Sequence, residues 1–227
     1  MTTVRVDYTA HDAIYQKNKE TGRPGWDTAT GTAQTLLKWQ EILQSRYIPD
    51  KGRVLELGCG AGDLSLWLTT KGYEVSGVDI SPTAIDWARE KAQAGNALVD
   101  FHLGNVINLS TYQESAFDLV LDSHCLHCII GDHRALFLRS AYRVLRPAGC
   151  CIIKTMCGRP AKGWSPGHFD PQTRCLIRKD GLATRYLGLS KDIMQEVVDA
   201  GFQLKEWKIR PASCEEDQGE LLVYAIR

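Results

Sequence analysis

Two stretches of the chain concentrate residues that could do chemistry. The first is Val54-Leu55-Glu56-Leu57-Gly58-Cys59-Gly60-Ala61-Gly62, followed nineteen residues after Gly60 by Asp79. Its glycines predict a tight turn that lets backbone approach a ligand closely. Asp79 closes a second apolar run, Tyr73 to Val78, where an acid can accept two hydrogen bonds from a ribose diol. The second stretch is Asp122-Ser123-His124-Cys125-Leu126-His127-Cys128. Two imidazoles that titrate near neutrality and two thiols fall within seven residues there.

The glycine spacing narrows the ligand. It is Gly58-x-Gly60-x-Gly62, not the G-x-G-x-x-G that places a helix N-terminus against a pyrophosphate. Asp63 follows the turn and would repel a phosphate, and Glu56 adds a carboxylate inside the strand end. Two acids suit a ligand that carries positive charge. The second stretch has three readings. Cys125 and Cys128 with the two histidines could bind zinc, but no second CxxC or HxxxH pair exists to close a tetrahedron, so no metal site is expected. The segment could be plain pocket wall. Alternatively, His124 or His127 takes a proton from a bound acceptor, or orients it.

The elements that must position these residues alternate. Residues 1–50 carry helical patterning, with Thr35, Leu36, Leu37, Trp39, Gln40, Ile42 and Leu43 forming one face. Strands are expected at 52–57, 73–79, 98–103, 117–122 and 150–156, with helices after the first, second and fourth. Ser81-Pro82 supplies an N-cap and first-turn pair for one of these helices. Such alternation implies a parallel sheet with right-handed crossovers. Residues 157–189 form an insertion that bears Arg159, Trp164, His168, Phe169, Arg174, Arg178 and Arg185. Within it, an Asp180-Gly181 turn predicts a β-hairpin from strands near 173–178 and 182–187. Ser190 is expected to cap a helix that Gly201 ends, before a terminal hairpin of strands near 202–210 and 220–226.

With 227 residues, the chain can bury about 70% of its unfolded surface in one domain. Its 27 basic and 27 acidic side chains balance, which favours neither nucleic acid nor an anionic membrane. No apolar run approaches the roughly 20 residues of a membrane span, and the first residues lack the apolar core of a signal peptide. Most of the eight cysteines sit in apolar contexts, as thiols would in a cytoplasmic protein.

Three motifs carry a family resemblance: the glycine turn, the Val78-Asp79-Ile80-Ser81 strand end, and the turn Leu145-Arg146-Pro147-Ala148-Gly149. Over residues 52–156 the chain resembles a class I S-adenosylmethionine-dependent methyltransferase. Its start, with Tyr15 and Trp26, resembles the small-molecule branch of thiopurine and tellurite-resistance type. The resemblance implies an α/β Rossmann-like sheet of seven strands in the order 3-2-1-4-5-7-6, with strand 7 antiparallel and helices on both faces. It implies one domain over 1–227: an N-terminal helical lid (1–50), a cofactor core (52–156), a substrate-side insertion (157–189) and a C-terminal helix and hairpin (190–227). S-adenosylmethionine would meet Trp26, Glu56, Gly58, Cys59, Gly60, Gly62, Asp79, Ile80, Asn105, Val106 and Ser123. Asn105 stands where the family often has an acid for the adenine amino group, and Val106 would pack on the adenine face. His124 and His127 would face the acceptor as catalytic residues. The implied reaction is in-line methyl transfer to a small-molecule N, O, S or metalloid centre.

Two other classes stay open on sequence: a non-catalytic S-adenosylmethionine-binding module, and a nucleotide-dependent oxidoreductase. Nucleic-acid methylation is disfavoured, because the D/N-P-P-Y type motif is missing after strand four.

Overall fold

The structure is a computed structural model and describes residues 4–163 and 167–227. Trp164 of the insertion lies outside the described residues. The alternation expected from the sequence is present. β1 (Arg53–Leu57) leads to α3 (Asp63–Thr69), β2 (Glu74–Asp79), α4 (Pro82–Ala94) and β3 (Val99–Leu103). β4 (Phe117–Ser123), α5 (His133–Val144) and β5 (Leu145–Cys157) follow. After the insertion come α6 (Ser190–Asp199), β9 (Gln203–Arg210) and β10 (Gly219–Ile226). The main sheet has the order β3-β2-β1-β4-β5-β10-β9. The first five strands run parallel, and β10 is antiparallel to both neighbours. With the insertion strands set aside, this is the expected order.

Alternation along the central strands divides the core. Leu55, Leu57, Val120, Cys151 and Ile153 pack on one face with α5 and α6. Val54, Leu119, Leu121, Cys150 and Ile152 pack on the other with Trp39 and α3. Both faces are covered, which is why these strands read as nearly continuous apolar runs. Ser81 caps α4 as its sequence promised, its Oγ accepting from the Ala84 amide at 3.0 Å, with Pro82 in the first turn.

Two local expectations are corrected and one is extended. The hairpin expected across the Asp180-Gly181 turn of the insertion is present. β6 (His168–Asp170) adds a third strand to β7 (Cys175–Ile177) and β8 (Ala183–Tyr186). A three-residue strand carries too little pattern to be read from sequence. Ser190 is the first helical residue of α6, not its cap; Leu189 holds the cap position in extended conformation. Leu37 is 64% exposed, so the buried seam of α2 (Ala29–Ile42) runs through Trp39 and Ile42, with Leu36 packed beside it.

The N-terminal segment forms a roof over the strand ends. It comprises a short 3-10 turn (Tyr8–His11), α1 (Asp12–Glu20), a loop and α2. Asp12 ties α1 to the start of α4, accepting from Ser81 Oγ at 2.6 Å and the Thr83 amide at 3.0 Å. At its other side the segment meets the insertion through an isolated bridge between Arg5 and Leu182.

Candidate functional site

A cavity of about 370 Å³ lies beneath this roof, at the carboxyl ends of β1, β2, β4 and β5. Open α/β sheets bind ligands at this place, and the volume falls in the range of small-molecule sites.

The glycine turn forms one end. Gly58 and Gly60 take positive φ, and the Gly58 and Cys59 amides both donate to the Val78 carbonyl, at 2.8 and 3.0 Å. A Cβ at Gly58 would lie 2.7 Å from the Cys125 sulfur, and one at Gly60 would collide with the Tyr15 hydroxyl. The turn therefore admits no side chain at either position. Asp79 accepts from the Gly60 amide at 2.8 Å and from the Ser81 amide at 2.9 Å. It joins the glycine turn to the next strand end, and burial raises its pKa despite those hydrogen bonds.

Glu56 is 3% exposed and accepts from Ser65 Oγ at 2.5 Å. Burial, with Asp63 and Asp79 adding to it, pushes its pKa up to about 8. The carboxyl is thus neutral at pH 7 unless a cation joins it. Asp63 pairs with Lys91 at 2.7 Å, so the negative charge inferred from sequence is compensated on the spot.

Cys59 packs beside Gly77, whose Cβ would sit 2.9 Å from the sulfur, and burial keeps it a thiol. Ile80, Asn105 and Val106 line the cavity. Asn105 Oδ1 already accepts from the Ile107 amide at 3.1 Å, which occupies one of its lone pairs. Gly62 is the exception among the residues expected to touch a cofactor. It does not line the cavity; it caps α3 at φ 79°, and a Cβ there would meet Phe101 at 2.6 Å and Ala88 at 2.9 Å. Its role is close packing behind the turn.

Roof aromatics cover this end. Trp26 lines the cavity, with its ring centroid 5.2 Å from that of Tyr15. Arg185 of β8 lies 5.8 Å above the Trp26 ring and 3.3 Å from His11 Nε2.

The other end is made of side chains. Ser123 accepts from Trp39 Nε1 at 3.1 Å. His124 follows in left-handed conformation, φ 68°. Its Nε2 touches Lys154 Nζ and lies 3.3 Å from Glu220 Oε1. Lys154 itself is 3.1 Å from Glu220, and Lys38 and Arg210 reach the second Glu220 oxygen at 3.8 and 3.3 Å. His124 and this cationic cluster hold Glu220 well below the usual carboxylate range. Burial lowers the pKa of both His124 and Lys154.

His127 is 3% exposed, on a 3-10 turn (Leu126–Cys128). Asp122 fixes this turn by accepting from the Cys125 and Leu126 amides at 2.7 and 3.0 Å, and Arg134 donates to the Leu126 carbonyl at 2.7 Å. Burial, then Arg185, pushes the pKa of His127 well below its usual value. The two imidazole centroids are 5.7 Å apart, and each ring keeps a buried Nδ1 without a partner. Burial thus favours the uncharged form of both rings, and His124 has one nitrogen engaged. Burial likewise holds Cys125 and Cys128 as thiols. Among the described residues, no group of three His, Cys, Asp or Glu side chains is arranged to hold a metal.

Apart from Gly62, every site residue expected from sequence lines this one cavity. Lys154, Glu220 and Lys38 were missed. Lys154 had a legible signal: a lysine inside the apolar run Cys150 to Thr155, buried to 5% exposure. Glu220 and Lys38 had none, since only the fold brings them there.

Among the described residues, no helix is long and apolar enough to cross a membrane. Residues 55–153 match the family model described as a methyltransferase domain. The chain is 29% identical over 123 residues to the ubiquinone biosynthesis O-methyltransferase of Xanthomonas axonopodis pv. citri, spanning 53% of this chain and 50% of that one. It is 30% identical over 136 residues to phosphoethanolamine N-methyltransferase 1 of Zea mays, spanning 59% and 26%. The chain thus spans about half the length, or less, of these curated relatives. In fold it is similar to the 1,6-didemethyltoxoflavin-N1-methyltransferase of Burkholderia thailandensis (TM-score 0.69, 18% identity, 100% of this chain and 93% of that one). It is also similar to the CcbJ methyltransferase of Streptomyces caelestis (TM-score 0.68, 24% identity, 96% and 98%). Glycine turn, sheet order and family match converge: residues 55–153 match a methyltransferase domain, and the sheet takes the fold of the solved methyltransferases above.

Proposed function

We propose that the whole chain acts as one unit that methylates a small-molecule acceptor. The observation that carries this reading is one cavity with two unlike ends: the glycine turn with Asp79 at one, and His124, Lys154 and Glu220 at the other. S-adenosylmethionine fits the first end on the chain's own terms. Gly58 and Gly60 leave a cradle where a Cβ would meet Cys125 or Tyr15, and Asp79 is a buried acceptor already oriented by two amides. In this reading Asp79 holds the ribose, Ile80, Asn105 and Val106 the adenine, and Glu56, Cys59, Tyr15, Trp26 and Ser123 the remainder.

Bound there, the cofactor supplies an electrophilic methyl group on a sulfonium. The residues of this chain then have three tasks. Gly58, Gly60 and Asp79 fix position. Tyr15 and Trp26 exclude water, and an aromatic face near a cation adds on the order of 1 kcal/mol. His124 and His127 meet the acceptor. Proximity and alignment alone can lower a bimolecular barrier by roughly 7–11 kcal/mol, so no triad is required.

The names of the curated relatives point to small molecules, which supports an acceptor of that size. The reading includes a thiopurine- or tellurite-resistance-like branch and a cytoplasmic setting; the eight free thiols are consistent with a reducing compartment. The test has two parts. Titration calorimetry should show S-adenosylhomocysteine binding and no NAD binding. A homocysteine-release screen over amines, thiols, phenols, carboxylates and metalloid oxyanions should then find turnover. Binding without turnover on any acceptor would leave a binding module; NAD binding alone would leave an oxidoreductase.

A further inference from the structure

We propose that Thr32 and Thr35 of α2 select the acceptor, and that they select an uncharged molecule with an apolar body and a polar edge of carbonyl, hydroxyl or N–H groups. This rests on the methyl-transfer reading and specifies its substrate class. Trp39 fixes how α2 is turned about its axis. It is fully buried, and its Nε1 donates to Ser123 Oγ, at the end of β4, at 3.1 Å. Thr32, Thr35 and Leu36 precede it by seven, four and three residues, so all three share its helix face. That face looks onto the strand ends, and the same three residues line the cavity.

The two hydroxyls are uncommitted. A threonine on a helix often turns its hydroxyl back to a carbonyl three or four residues earlier. At the ends of α1 and α3 this happens: Thr21 donates to the Lys17 carbonyl at 2.9 Å, and Thr69 and Thr70 to those of Leu66 and Trp67 at 2.7 Å. Among the described residues, the Thr32 and Thr35 hydroxyls have no hydrogen-bond partner, although both residues are half-buried. Side chains three apart on a helix have Cβ atoms about 5–6 Å from each other, close enough to meet two polar atoms of one ligand. Each hydroxyl can donate or accept. Leu36 on the same face and Met156 of β5 supply apolar surface for the body of that ligand.

The charged groups on this side are committed to one another. Lys154 of β5, Lys38 of α2 and Arg210 of β9 converge on Glu220 of β10. Arg210 also pairs with Asp217 at 2.6 Å. Asp27 lines the same cavity and acts on His124 through its charge. Three cations thus meet three carboxylates, and burial favours the uncharged form of His124 and His127. Arg185 stands on the roof side, 5.8 Å above the Trp26 ring. The wall built from α2, β5 and β10 therefore offers no net charge to an acceptor. An ionic acceptor there would have to part an existing pair, whereas a neutral one needs only the two hydroxyls.

Calorimetry on the full chain with S-adenosylhomocysteine bound uses three probes of one shape: 3-hydroxybenzamide, 3-hydroxybenzoate and 3-(aminomethyl)phenol. At pH 7 they are neutral, anionic and cationic. The benzamide should bind about tenfold more tightly than either ion, since an ion must lose its hydration without gaining a partner. Equal or tighter binding of an ion overturns the proposal, and so does failure of all three to bind; methyl transfer is judged separately, by homocysteine release. Thr32→Val and Thr35→Val replace each hydroxyl by a methyl. Each should weaken the benzamide by roughly twofold to tenfold, the worth of one hydrogen bond, with Tm and S-adenosylhomocysteine affinity unchanged. Thr35→Ser keeps the hydroxyl and should keep the affinity. Thr30→Val, at an exposed position of the same helix, should change nothing; an equal loss there would trace the effect to the helix and overturn the assignment. With an acceptor found by the homocysteine-release screen, the double variant should raise KM by about tenfold and leave kcat within about twofold. An unchanged KM would mean that the hydroxyls do not touch the acceptor. A matching loss of S-adenosylhomocysteine affinity would give them to the cofactor instead. Either result overturns the proposal and leaves methyl transfer standing.

Discussion

The two ends of the cavity are assembled from different materials. At the glycine turn, the groups that face a ligand are mostly backbone, supplied by the four contiguous residues Gly58 to Ala61 and clamped by one aspartate through amides 2.8 and 2.9 Å away. At the acceptor end they are long side chains from α2, β4, β5, β8 and β10, held by one another. The first end is closely packed, with Asp63 paired to Lys91 and Glu56 held neutral at pH 7; the second is a polar cluster of charged side chains around Glu220. A backbone cradle can be spoiled by a single added methyl, yet offers few side chains to vary. A cluster of side chains can be altered one residue at a time without disturbing the turn. Recognition of a shared cofactor and choice of an individual acceptor are separated in this way within one pocket.

The sharpest way to break that contrast is Gly60→Ala. The residue needs φ 53°, and the new Cβ would press on the Tyr15 hydroxyl. Left-handed strain alone costs roughly 1–3 kcal/mol, so affinity for S-adenosylhomocysteine should fall by roughly a hundredfold in calorimetry. Adding Tyr15→Ala should recover part of the loss; no recovery would place the whole defect in the backbone. Asp79→Ala comes next. It removes a charge-assisted hydrogen bond worth roughly 1.5–3 kcal/mol, or about tenfold to a hundredfold in affinity, and lowers Tm because two amides lose their acceptor.

At the opposite end, His127→Ala should lower turnover by roughly tenfold, the worth of one hydrogen bond. Cofactor affinity should stay unchanged. If affinity falls in step with turnover, the two ends are not separable.

The smallest effect is one of pH. Glu56 ionises near 8 in the folded chain and near 4.5 when exposed. Between those values the folded state binds the extra proton, so stability is greatest at low pH and declines as pH rises toward 8. Glu56→Gln should remove part of that decline, a few kcal/mol at most, when denaturant unfolding is compared at pH 6 and pH 9. An identical pH dependence in both proteins would mean that the carboxyl is ionised throughout.

The cofactor end was legible in sequence because its constraints are local. Positive φ at Gly58 and Gly60, an acid at a strand end and a Ser81-Pro82 cap are each set within a few residues. Gly62 shows the limit of such reading. Its spacing placed it in the site, but its contacts with Phe101 and Ala88 lie behind the turn, and only packing decides that. His124 and His127 line the cavity, yet the surroundings of His124 include Lys154 and Glu220, 66 residues apart in the chain. No periodicity reports such a pairing. The third strand of the insertion escaped for another reason: three residues are too few to alternate.

The roof has a consequence for how the chain comes together in time. Its residues near Tyr8 to Trp26 are synthesised well before elements they lie against; His11 and Arg185 are 174 residues apart. Contacts of such sequence separation are slow to close, because loop entropy must be spent before they form. The sheet can pair strand by strand during synthesis, but the cavity gains its cover only when β8 exists to receive it. A nascent chain would therefore present a finished glycine turn under an open sky until the insertion has been made.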